Sequence, residues 1–341
     1  MTEKNYLIVD KYGTFLSKHS ERIRVKIEGK IVEEVPIIHL AAILITSRGV
    51  SLSSDVIEIC SKNGIDVFFI SGNGDIYCRL GGAAPIGTVR TRREQLMSFN
   101  DKRGLILGKS FAFGKIMNQI NLIKYYGKYR KVADPSLYDL MNQEIQKLEA
   151  LLKELDQLEG EKIDEIRENI LNIEGRAASI YWNTMANLVP EEMEWPGRVG
   201  RGAQDPLNSG LNYGYGILYG QIERSILLAG LDPYAGFVHT DRAGKPSLVF
   251  DLIEEFRQQV VDRVIFGMVG KGSELKVNAE GLLEDKTRRL IAQKIFDRLE
   301  AEERYEGVKH KLKTILLKQA QAIASFVRGD RPVYKPFVGS W

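Results

Sequence analysis

At residues 81–88 the chain reads GGAAPIGT, and the rhythm of its apolar residues changes there. Gly, Ala and Pro without a periodic apolar pattern mark a boundary, because Gly frees φ and Pro removes a backbone donor. Before it, short apolar runs separated by glycine turns predict strands. YLIVD and TFLSK flank Lys11-Tyr12-Gly13, IRVKI and IVEEV flank Glu28-Gly29-Lys30, and VFFIS and DIYCRL flank Gly72-Asn73-Gly74. Each pair is expected to form a hairpin. IIHLAAILI predicts a buried strand, while SSDVIEICSKNG, with Ser53 or Ser54 as N-cap and Gly64 as C-cap, predicts a short helix.

After the boundary the spacing is helical. Ile163, Ile166, Ile170, Ile173, Ala177 and Ile180 recur at steps of three and four, as do Val249, Ile253, Phe256, Val260 and Val264. EIQKLEALLKELDQLEGEKIDEIREN predicts an exposed helical hairpin bent near Gly160, and Asp205-Pro206 opens a helix with Pro in its first turn. The expected architecture is α+β. A β-rich, β-sandwich-like domain covers 1–82, a linker 83–92, and a larger all-α domain 93–326. A basic, aromatic tail over 327–341 is expected to be mobile. At 341 residues two domains can each bury a core.

Two cysteines, Cys60 and Cys78, stand outside any CxxC pair, which argues against a zinc finger or disulfide framework and predicts two small core residues. No apolar run reaches about 18 residues, so no membrane span is expected. The opening MTEKNYLIVDKYG lacks a signal-peptide layout, and a cytoplasmic location is expected. Charge is unevenly spread. Arg79 to Lys131 holds twelve Lys or Arg against two acids, Arg304 to Lys335 eight against two, and Glu144 to Glu174 ten acids against four bases. Basic segments suit a phosphate backbone, though solvated helix faces carry the same composition.

Three places carry candidate chemistry. In FVHTDRAGKPSLVFDLIEEFR, a helix N-capped by Ser247 would place Asp251, Glu255, Gln258 and Asp262 opposite its apolar stripe, with Glu254 on the flank. Asp251 and Glu254 are three apart and adjacent on the surface, a spacing that allows a shared metal ion, although taken alone it better describes a solvated acidic face. His239 alone reads as a satisfied histidine. Glu174 has Leu171, Ala178, Tyr181 and Met185 along its own side of a helix, where a lone carboxylate is costly unless paired or bound to metal. Gly175 beside it suggests a close approach. In WPGRVGRGAQDPLNSGLNYGYGILYG, glycines accompany Arg198 and Arg201, but no GK[ST] follows, so no nucleotide P-loop is present.

Taken in order, EGRAASIYW, DPLNSGLNYGYGILYG, the histidine of GFVH and SLVFDLIEEFR resemble the CRISPR-associated endonuclease family that integrates spacers. The resemblance covers most of the chain, including the β-rich domain and the helical one. It implies a manganese or magnesium site of Glu174, His239 and Glu254, the three catalytic residues, with Asp251 as a supporting acid. Some members carry aspartate where Glu254 stands, and Glu255 is the alternative occupant. One imidazole with two or three carboxylates suits manganese.

The implied function is metal-dependent endonuclease and integrase chemistry: transesterification in which a 3′ hydroxyl attacks a phosphodiester, inserting short DNA into a CRISPR array. Double-stranded and branched DNA would be positioned by Arg90, Arg92, Arg93, Lys102, Arg103, Arg198 and Arg201. The family also implies a homodimer and a small ferredoxin-like companion protein. Two alternatives are a non-catalytic DNA-binding scaffold and a metal-dependent phosphohydrolase acting on another substrate.

Overall fold

The computed structural model describes residues 5–72, 74, 76–81, 89–200, 202–239 and 242–340. The chain divides into two compact units. The first comprises Met1–Pro85, Ala203–Gly220 and Leu275–Phe296; the second comprises Ile86–Gly202, Gln221–Glu274 and Asp297–Trp341.

The strands of the first unit are β1 (Asn5–Val9), β2 (Phe15–His19), β3 (Arg22–Ile27), β4 (Lys30–Pro36), β5 (Leu40–Ile45), β6 (Ser51–Leu52), β7 (Asp66–Ile70) and β8 (Ile76–Leu80), with helix α1 (Ser54–Lys62) between β6 and β7. They form two four-stranded sheets, in the orders β1-β5-β7-β8 and β4-β3-β2-β6. Leu7 and Val9 of β1, Leu16 of β2, Ile23 and Val25 of β3, Ile43 and Ile45 of β5, and Val56 and Cys60 of α1 share one apolar core. The β-rich reading of this region holds.

Two of the three expected hairpins are present. β3 and β4 pair antiparallel around Glu28 (φ 50°) and Gly29 (φ 76°), the positive φ values that a tight two-residue turn demands. β7 and β8 also pair antiparallel. The first hairpin is a correction: β1 pairs parallel with β5, and β2 turns into β3 through Ser20 at φ 52°. Strand β5 is apolar on both faces and takes β1 and β7 as parallel neighbours, a pairing that Gly13 cannot foretell.

The helices beyond are α2 (Val89–Ser98), α3 (Lys102–Gly127), α4 (Arg130–Ala133), α5 (Pro135–Asp156), α6 (Arg167–Ala186), α7 (Pro206–Leu228), α8 (Ser247–Ile253), α9 (Arg263–Val269), α10 (Asp285–Glu300) and α11 (Leu312–Val327), with a small hairpin of β9 (Glu302–Tyr305) and β10 (Val308–Lys311) before α11. Of the linker expected over 83–92, residues 83–88 lie outside those described, and Val89 already begins α2.

Asp205 caps α7 by accepting from the Asn208 N–H at 2.8 Å. The glycines of NYGYGILYG serve packing in the first unit. A Cβ on Gly216 would lie 1.6 Å from the Gly74 carbonyl oxygen, so only glycine lets α7 approach the β7–β8 turn.

In the second unit α3 packs on both α5 and α6. The expected exposed hairpin of α5 and α6 buries one face, with Met141, Ile145, Leu148, Leu151 and Leu155 all inside. The tail is a second correction. Tyr334 and Phe337 are buried, and Phe337 stacks on Phe256 with centroids 4.9 Å apart. Asn118 of α3 donates to the Phe337 carbonyl and accepts from the Gly339 N–H, both at 2.8 Å. The aromatic and small residues that made the tail look idle fill a groove of the second unit. Among the described residues no helix is long and apolar enough to cross a membrane.

Candidate metal centre

The candidate acids lie on separate helices of the second unit. Glu174 is in the middle of α6, and Glu254 directly follows α8. The segment from α8 to α9 is interrupted by a π-helical stretch, Gln258–Asp262, whose Gln259 carbonyl accepts from the Arg298 guanidinium at 2.8 Å. Widened turns free carbonyls that side chains then satisfy. This segment runs through the interior: Asp251, Glu254, Glu255, Gln258, Gln259 and Asp262 are all buried. The solvated face that helical geometry allowed for these residues does not exist. Nor does the close approach expected at Gly175, where an added Cβ would meet nothing within 4 Å.

Glu174 and Glu254 converge on one cation supplied by α3. Lys115 Nζ lies 3.0 Å from Glu254 Oε2 and 3.6 Å from Glu174 Oε2, with its side chain 15% exposed. Glu254 Oε2 is buried, and the Lys115 ammonium is its ion-pair partner. On the other side of Glu254, Arg257 Nε donates to Oε1 at 2.9 Å. Burial pushes the Glu174 carboxyl above the usual range; Lys115 offsets this in part and the charge of Glu254 adds to it. Burial also opposes ionised Glu254, but Arg257, Lys115 and His239 together outweigh it and hold that carboxyl at about 2. Burial lowers the Lys115 ammonium, yet Glu174 and Glu254 outweigh it and keep the amine charged.

Asp251 organises the histidine. Its carboxylate accepts from the backbone N–H of Phe237 at 2.6 Å, Val238 at 3.1 Å and His239 at 3.0 Å, and lies 2.7 Å from His239 Nδ1. The three N–H donors make the Asp251 carboxylate an acceptor, so Nδ1 carries a proton toward it, and in the neutral tautomer Nε2 is the nitrogen left to ligate. Gly236 allows this loop to lie on the start of α8, since a Cβ there would fall 2.6 Å from Ser247. Ser247 begins α8 rather than capping it through its side chain. Burial lowers the His239 imidazole, but the hydrogen bond and charge of Asp251, then Glu254 and Glu174, raise it overall. His239 is thus near enough to both glutamates for their charges to bear on it.

Glu255 points elsewhere. Its carboxylate accepts from Tyr334 Oη and Gln319 Nε2, each at 2.6 Å, and from the Phe337 N–H at 2.8 Å. Its donors come from α11 and the tail, so Glu254 is the residue that faces Glu174.

The donor set fits a manganese or magnesium ion. Two carboxylates, one on α6 and one just after α8, stand beside an imidazole whose second nitrogen can ligate in its neutral tautomer. As the side chains stand, no group of three or more His, Cys, Asp or Glu among the described residues is gathered closely enough to hold an ion. The cation between Glu174 and Glu254 is Lys115.

The residues expected to meet DNA divide into two sets. Arg90, Arg93 and Lys102 are exposed, Arg92 is half-buried, and Arg198 lies over the Trp182 ring with 5.7 Å to the centroid. Arg103 is held within the fold: its guanidinium donates to Asp101, to Glu94 at 2.8 Å and to the Val327 carbonyl. Arg201 lies outside the described residues. Sequence reasoning missed Lys115 and Arg257 as parts of the centre. The signal available for the first was a lone lysine in the largely apolar FAFGKIMNQI.

Comparison with known proteins gives a family and a fold. Residues 7–296 match the family described as CRISPR associated protein Cas1. The chain is 39% identical over 346 residues to the CRISPR-associated endonuclease Cas1 1 of Archaeoglobus fulgidus, covering 98% of this chain and 99% of that protein. Its fold resembles a casposase bound to integration product, with TM-score 0.81 and 21% identity over 97% of this chain and 92% of the casposase. It also resembles part of a chain in a Cas6-RT-Cas1–Cas2 complex, with TM-score 0.76 and 18% identity over 99% of this chain and 36% of that one.

Proposed function

The chain belongs to the Cas1 family of CRISPR-associated proteins, and from that premise we propose that it is a metal-dependent DNA endonuclease and integrase that inserts short DNA into a CRISPR array. One observation carries this reading: Glu174 and Glu254, some 80 residues apart, are buried around one positive charge beside a histidine whose ring Asp251 fixes. A buried acid pair of this kind is costly unless a cation completes it.

Glu174, Glu254 and His239, through Nε2, are the residues that would hold a manganese or magnesium ion, which supplies Lewis-acid polarisation of a phosphoryl oxygen. The remaining work belongs to the chain's own side chains. Asp251 holds the imidazole tautomer and orientation, and Arg257 holds Glu254 from the side away from Lys115. Arg90, Arg93, Lys102 and Arg198 bind phosphate oxygens and set the register of the duplex without reading bases. The reaction exchanges one phosphodiester for another. A P–O bond forms to the attacking 3′ oxygen, the P–O bond to the resident strand's 3′ oxygen breaks, and a proton passes from the attacking to the leaving hydroxyl. With water as the nucleophile the same exchange is hydrolysis.

The partners in this reading are double-stranded and branched DNA, a second copy of the chain, and a small ferredoxin-like companion. The casposase bound to integration product and the Cas1–Cas2 complex among the fold's neighbours support DNA and a companion protein. The test is strand transfer on branched DNA with manganese. Glu174→Ala and His239→Ala are each expected to lose more than about a hundredfold, beyond the loss typical of residues behind a metal ligand, while binding DNA with unchanged affinity. Retained strand transfer in both variants overturns the reading and leaves a non-catalytic DNA-binding scaffold.

A further inference from the structure

Lys115 is the unexplained member of the centre. Long charged side chains on a helix normally keep their charge in water, yet this one carries its ammonium from α3 into the space between Glu174 and Glu254. Arg257 already serves Glu254 Oε1. A structural pairing for Glu254 alone would therefore not require a second cation at Oε2. Glu174, by contrast, has no other cation within ion-pair distance among the described residues. The lysine thus stands against one oxygen of each acid, where a cation shared by the pair would lie.

We propose that Lys115 is a built-in counter-cation that occupies the acid pair until a divalent ion displaces it, so that this residue sets the metal affinity of the centre. Two buried carboxylates left without a cation repel each other and bear the cost of desolvation together. With Lys115 in place the apo protein avoids that cost, and a divalent ion gains only the difference between its own attraction and that of the ammonium it replaces. Lys115 is therefore a positioning residue: it keeps Glu174 and Glu254 facing one another in the absence of metal and weakens ion binding in return.

The inference rests on the metal-site reading, and its test separates the two. Manganese affinity is measured by titration calorimetry, and thermal stability is measured with and without manganese, on the full chain carrying Lys115→Met, Glu174→Gln, or both. Lys115→Met is expected to melt lower than the wild type without manganese. It should bind the ion about tenfold tighter or more, as expected when a competing unit charge at 3–4 Å is removed, and gain more stability from the ion than the wild type does. Adding Glu174→Gln to Lys115→Met should restore part of the apo stability and abolish the tightening, a coupling that additive effects cannot give. If Lys115→Met binds manganese no more tightly than a wild type that does bind it, the inference is wrong and the metal site stands. If neither protein binds manganese, the metal site itself is wrong and the inference falls with it.

Discussion

Glu254 and Glu255 are neighbours in sequence with opposite duties. Glu254 faces Lys115 and Glu174, while Glu255 is enclosed by Tyr334, Gln319 and the Phe337 N–H. Burial pushes the Glu255 carboxyl up to about 7 from 4.5, with Tyr334, Phe337 and Gln319 only partly offsetting it. In the window between these values the unfolded chain has released this proton and the folded chain still holds it. The residue therefore subtracts stability increasingly as pH rises from 4.5 through 7, and below 4.5 it subtracts nothing. Glutamine keeps an acceptor for the Gln319 and Phe337 donors and cannot ionise. Glu255→Gln is expected to gain on the wild type between pH 5 and pH 8, by up to about 3 kcal/mol, in urea denaturation at each pH. A difference that is flat with pH would show that Glu255 is ionised throughout. Residue-scale legibility was uneven. The sequence marked Glu174 as a carboxylate in need of a cation, because its helical neighbours are apolar. It could not name Lys115, which comes from another helix some 60 residues earlier.

At the scale of elements, the α8–α9 segment and the tail explain one another. An acidic amphipathic helix ordinarily shows its acids to water. Here the π-helical stretch Gln258–Asp262 and the tail cover that side, and Asn118 of α3 ties the Glu255 carbonyl to Phe337. Periodicity revealed the apolar stripe of Val249, Ile253, Phe256 and Val260, but not that the opposite side was also enclosed, because its cover lies some 80 residues downstream. The same limit hid the β1–β5 pairing: alternation shows that a strand has a buried face and leaves its neighbour unspecified. Phe337 is 2% exposed and stacked on Phe256, so Phe337→Ala is expected to cost about 3–5 kcal/mol in denaturant unfolding. A loss below about 0.5 kcal/mol, the range of uninvolved surface positions, would mean that the tail does not dock.

At the scale of the whole molecule, the charge asymmetry legible in the sequence overstated what is available to DNA. Within the basic segment from Arg79 to Lys131, Arg103 ties Asp101, the N-cap of α3, to Glu94 and the Val327 carbonyl, Lys109 donates to the Asp156 and Leu158 carbonyls, and the half-buried Lys115 sits in the acid pair. Composition counts charges without saying which are internal. The order of four motifs along the chain carried the functional reading, and three of them, on α6, in the GFVH loop and on the α8–α9 segment, meet Lys115 of α3 in the second unit. The measurement that tests this gathering most directly is an anomalous difference map from crystals grown with manganese and recorded at the manganese absorption edge. The expected result is a peak bounded by the Glu174 and Glu254 carboxylates and His239 Nε2, with the Lys115 ammonium moved off both acids. A manganese peak on Asp251 or Glu255 instead, with Lys115 still seated between Glu174 and Glu254, would contradict it.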